Sequence, residues 1–230
     1  MRVFRRGMKA TLWLATLAGA ALIARGATVY FGDELPPFLL EKLPLPHADL
    51  WLFAVQVHVV ATAFALPACL LLVWPVMLRR LPRVHRWLGR TTATALLLAA
   101  VPSGLYLSLF AKGGWPTSLG FVASGVIVAV SMVSAVRSAR AGQVLDHRRS
   151  SMHVLGQLGV AVASRALLVL CDSFDLDADR AYLFALWGPV LVSLLAVELL
   201  FPRRSLQPRS SRVSPALAPV LYRRDPGLGS

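Results

Sequence analysis

Six long apolar runs separated by short polar segments organise this chain: Thr11–Phe31, Leu50–Leu78, Thr91–Ala111, Thr117–Val136, Met152–Cys171 and Ala181–Phe201. Each reaches the ~20 residues that a helix rising about 1.5 Å per residue needs to cross a hydrocarbon core. Lipid offers no partner to an open backbone, so such runs cross as helices, whose peptide groups bond internally. The pattern therefore predicts an all-α, polytopic integral membrane helical bundle of about six transmembrane helices. The second run is longer than a straight crossing requires, and Pro67 and Pro75 interrupt its hydrogen-bond ladder, so a tilt or kink is expected there.

The connecting segments test the assignment independently, because basic residues are retained on the cytoplasmic side. They alternate as that rule requires. Arg2, Arg5, Arg6 and Lys9 precede the first run; Arg79, Arg80, Arg83, Arg86 and Arg90 lie between the second and third; Arg137, Arg140, Arg148 and Arg149 lie between the fourth and fifth; and six Arg from Arg203 to Arg224 follow the last. These 19 basic residues contrast with Lys42, Lys112 and Arg180 in the other three connections, which hold eight of the eleven acids. The expected topology has both termini in the cytoplasm and the chain in the cell inner membrane as a multi-pass protein. Residues 1–10 form a basic cytoplasmic N-terminus, 11–201 the membrane domain, and 202–230, rich in Pro, Ser and Arg, a disordered basic cytoplasmic tail. The basic start and the apolar run ending at Ala24 also resemble a signal peptide, but Val29 to Phe31 extend the run to crossing length, which favours retention.

Composition fits this solvent: 57% of residues are hydrophobic and 15% charged, more apolar surface than a soluble core of 230 residues absorbs. The net charge of +13 does not imply nucleic acid, since its Arg residues flank the apolar runs; the expected partners are the bilayer and anionic lipids at the cytoplasmic face. Cys69 and Cys171 both fall inside apolar runs and offer neither a disulfide framework nor a metal site.

Polar residues within the runs carry the functional signal, because charge at membrane depth is costly unless paired or hydrated. Arg25, His58 and Arg165 each fall about 9–12 Å below the outer end of their helices at 1.5 Å per residue. They would share one layer, with Tyr106, Ser103 and Ser164 within its reach and no acid at that depth. An anion or a carbonyl-bearing ligand would relieve the repulsion. The alternative is that the arginines snorkel to the headgroups and His58 is a core histidine.

A second constellation lies at the cytoplasmic boundary. His85-Arg86-Trp87-Leu88-Gly89-Arg90 leads into the third run, and Asp146-His147-Arg148-Arg149-Ser150-Ser151-Met152-His153 leads into the fifth. Asp146 is placed to pair with Arg86 or Arg90, and Glu198 to lie near Arg203. Arg79, Arg80 and Arg149 are read as topogenic charge, but His85, His147 and His153 are not, because imidazole is mostly neutral at cytoplasmic pH, and they form a boundary motif with Arg86, Arg90 and Arg148. The order of His58, the HRWLGR segment, Ser103 to Ser108 (SGLYLS), HRR at 147–149 and Arg165 resembles an uncharacterised bacterial membrane protein family, domain of unknown function 2306, from about Leu50 to Leu170. The resemblance implies a helical membrane fold and singles out His58, His85, Arg86, Gly89, Arg90, His147, Arg148 and Arg165. It implies no activity.

Three functions fit the sequence. One is binding of an anionic or carbonyl-bearing ligand, a lipid headgroup or a quinone, through Arg165, His58, Tyr106 and Arg25. The second is a b-type-cytochrome-like redox protein holding haem through histidines. Against it, His58 has no second histidine at its depth, and the boundary histidines lie where a macrocycle is poorly buried. The third is a structural or assembly partner.

Overall fold

In the computed structural model, residues 2–32, 45, 47–174 and 176–202 are described. The expected tail, Lys42 and Asp175 lie outside them. The described residues form helices α1 (Arg2–Gly26), α2 (Ala48–Val73), α3 (Pro75–Arg80), α4 (Pro82–Ser108), α5 (Trp115–Arg140), α6 (Val144–Asp172) and α7 (Ala178–Leu200), with no strand among them. All except the short α3 are long and apolar enough to cross a membrane, α1 together with the 3-10 turn Ala27–Phe31 that prolongs it. The chain is an all-α polytopic helical bundle.

The helices end where local chemistry dictates. Pro67 is carried inside α2, but the helix stops at Val73 and Trp74 turns extended, so Pro75 opens α3 at its first turn, where a missing N–H costs nothing. The second run thus ends five residues earlier than its hydropathy indicates. Pro82 starts α4 in the same way, and α4 begins nine residues before the third apolar run, placing His85 to Arg90 on the helix. Likewise α6 begins at Val144 and carries Asp146 to His153 on its first turns.

Within α4, residues Leu96–Ala100 form a π turn immediately before Pro102. Proline lacks a donor and clashes with the carbonyl four residues back, and widening the preceding turn accommodates both defects.

Helix α6 packs against α1, α2, α5 and α7 and is the axis of the bundle. Small residues let the backbones approach. Ala61, Ala65 and Cys69, at helical spacing on α2, meet Ala93, Leu96 and Ala100 of α4, with Val128, Met132 and Val154 completing that core. Leu98, Val169, Val192 and Leu199 are exposed around the periphery, as suits side chains facing lipid rather than water.

Candidate functional site

Towards the acid-rich ends of the helices the bundle forms a half-open cavity of about 420 Å³, to which all six long helices contribute. Ala20, Ile23 and Ala24 of α1 close one side, and most of the remaining wall is apolar. The polar atoms come from few residues. His58 on α2 is seated by α4: its Nδ1 lies 2.9 Å from the Ala100 carbonyl oxygen at the end of the π turn, and 3.3 Å from Ser103 Oγ. Gly104 makes room for the ring, since a Cβ there would sit 2.8 Å from His58 Cε1. Arg165 of α6 borders the same cavity with Tyr182 of α7 and Lys112 of the α4–α5 connection, and its charge acts on Tyr182 and Tyr30. No described carboxylate lines the cavity.

Deeper in the bundle, Gln157 fixes three helices together. Its Oε1 accepts from Ser124 Oγ of α5 at 2.8 Å, and its Nε2 donates to Ser193 Oγ of α7 at 2.7 Å. A buried amide in lipid requires such partners. Its side chain also borders the cavity.

The other residues expected in the layer go elsewhere. Tyr106 packs edge-on against Phe110, in a cluster with Trp51, Val55 and Tyr30, and does not line the cavity. Arg25 is exposed and also outside it. Ser164 Oγ is buried without a partner among the described residues.

At the Arg-rich end, Glu198 of α7 forms an ion pair with Arg149 and accepts from His153 Nε2 at 3.1 Å. Glu198 therefore reaches across to α6, Arg203 lies outside the described residues, and Arg149 has a specific partner beyond topogenic charge. His147 Nδ1 donates to the Ala135 carbonyl at 2.8 Å, and His85 Nδ1 is buried and unbonded among the described residues. Arg148 stacks over Phe201, and Arg90 over Trp87. Asp146 forms no ion pair with Arg86 or Arg90 among the described residues, and Arg86 is exposed.

A family model described as "Predicted membrane protein (DUF2306)" matches residues 55–201, more than half of the chain. The chain belongs to the DUF2306 family. No curated protein and no solved structure matches it. The DUF2306 segment runs beyond the expected limit near Leu170 and takes in α7, so Tyr182 and Glu198 lie inside it as well as His58, His147 and Arg165. Helix α1, with the cavity wall it supplies, precedes it.

The donor set of this DUF2306 protein bears on the haem alternative. His58 has no second imidazole or thiolate beside it on the cavity wall, and no group of three metal-ligating side chains occurs among the described residues. At the opposite end His147 and His153 each commit one ring nitrogen to protein partners. Two axial imidazoles facing one macrocycle are not provided by the cavity. Sequence reading missed Gln157, Lys112 and Tyr182. Gln157, an amide in mid-span, was the detectable signal; Lys112 and Tyr182 sit at helix ends where polar residues are ordinary.

Proposed function

We propose that this protein binds an amphipathic membrane ligand in the outer half of the bundle, with Arg165 holding an anionic or carbonyl oxygen of its head and His58 a second polar atom. The observation that carries the reading is the sharing of one apolar-walled cavity by Arg165 and His58, without a described carboxylate on the wall. Among the described residues no carboxylate stands on the wall beside this guanidinium, which would gain from a ligand oxygen. The remaining wall suits the apolar body of a lipid or quinone. Tyr106 and Arg25, outside the cavity, have no direct role in this reading.

The same proposal sets the orientation. Both termini lie in the cytoplasm of a bacterial cell, the cavity opens towards the outer leaflet, and the Arg-rich end meets anionic lipids at the inner leaflet; the division of 19 basic residues against three supports this.

Native mass spectrometry of protein released from membranes tests the binding site. The wild-type chain is expected to carry a lipid or quinone adduct that Arg165→Leu and His58→Ala each deplete at least tenfold. Equal adduct occupancy in all three folded proteins overturns the reading.

A further inference from the structure

The hydrogen-bonding capacity of His58 narrows the ligand, on the reading that the cavity is a binding site. The Ala100 carbonyl can only accept, so Nδ1, 2.9 Å away, carries a hydrogen. An imidazole at neutral pH holds one hydrogen in its common form, and Nε2 then offers a lone pair. No hydrogen bond from a described residue reaches Nε2, and the ring borders the cavity. The Ser103 hydroxyl does not serve it, being donated to the Ala99 carbonyl 2.5 Å away. Gly104 leaves the space that this pose needs, since a Cβ there would lie 2.8 Å from Cε1 and 3.0 Å from Nδ1. Arg165, by contrast, can only donate.

We infer that the cavity selects a ligand whose head carries a hydroxyl donor for His58 together with an oxygen acceptor for Arg165. A head with acceptors alone would set its own lone pair against Nε2 and leave both unsatisfied away from water. Two membrane-borne chemistries meet the requirement: the reduced, dihydroxyarene form of a quinone, and a phospholipid head bearing free glycerol hydroxyls. An oxidised quinone, or an anionic phospholipid capped by a methyl group, supplies the acceptor without the donor.

Matched pairs isolate the hydroxyl. Binding to the full-length purified protein is measured for decylbenzoquinol against decylbenzoquinone, and for phosphatidylglycerol against phosphatidylmethanol, whose charge is the same. The hydroxyl-bearing member of one pair is expected to bind about tenfold more tightly, the worth of one well-placed hydrogen bond. The pair showing the preference identifies the source. His58→Phe removes the preference, and Gly104→Ala, which displaces the ring without altering its chemistry, reduces it; Arg165→Leu weakens both members of the pair alike. The wild-type comparison alone is decisive even where a variant fails to fold. Saturable binding with equal affinity within each pair overturns this inference and leaves the cavity a binding site. No saturable binding of any of the four overturns both. A preference that survives folded His58→Phe removes His58 from the role.

Discussion

His58 on α2 and Ala100 on α4 are joined by a hydrogen bond of 2.9 Å between a side chain and a backbone carbonyl at the π turn. The bond ties the cavity wall to an irregularity in its neighbour, so the position of the ring depends on the local shape of α4. Gly104, one turn on, leaves room for the same edge of the ring.

Gly104→Val should therefore be disruptive. The added Cβ would approach His58 Cε1 to 2.8 Å, and the ring is tied in place by its bond to the Ala100 carbonyl. The expected loss is about 1–3 kcal/mol, the usual cost of overpacking. Thermal unfolding in detergent measures it, and a variant as stable as the wild type would show that the contact yields freely.

Gln157→Ala should cost roughly 1–3 kcal/mol, since it deletes the bonds to Ser124 and Ser193 and leaves a void beside them. The lower end is favoured because Ser193 Oγ also donates to the Val190 carbonyl and keeps that bond. Reversible unfolding in mixed micelles gives the value. A cost below the error of that measurement would mean that the three helices do not depend on the amide.

The Arg149–Glu198 pair should contribute modestly. The Glu198 side chain is 51% exposed while that of Arg149 is 13% exposed, so water and headgroups compete for the carboxylate. A double-mutant cycle with Arg149→Ala and Glu198→Ala is expected to give a coupling of no more than about 1 kcal/mol. Arg149→Ala alone should cost less than Glu198→Ala, because Glu198 retains His153 whereas loss of Glu198 strips both partners at once.

Orientation has its own check. A reporter fused after Ser230 should be active only as a cytoplasmic enzyme, and one inserted after Gly113 only as an external one. The reverse pattern would place the cavity in the inner half.

The apolar runs and their flanking arginines made the bundle legible, because hydrophobic length and charge are properties of one segment at a time. Counting residues at a fixed rise set His58 and Arg165 at one level, and both line one cavity, whereas Arg25, set at the same level, does not. Direction around each helix was not legible. Tyr106 lies two residues beyond the cavity-lining Gly104, about 200° around the helix, and faces Phe110 and the Trp51 cluster instead of the cavity. The π turn that brings Ala100 to His58 is visible in sequence only as Pro102, and its effect on the phase of α4 depends on where the neighbouring helices stand. The partners that Glu198 finds on α6 were not legible for a similar reason. Arg149 and His153, four residues apart on α6, form a face that only the packing of α6 against α7 turns towards it.

Every long helix lends the cavity a side, α1 among them although it precedes the segment matched to the family. The chamber is thus not housed in any one hairpin that could be excised, transplanted or lost alone. Withdrawing a single helix would take away one part of its wall. Its contents answer to the assembly of the whole bundle, and a ligand resting there would in turn hold that assembly together.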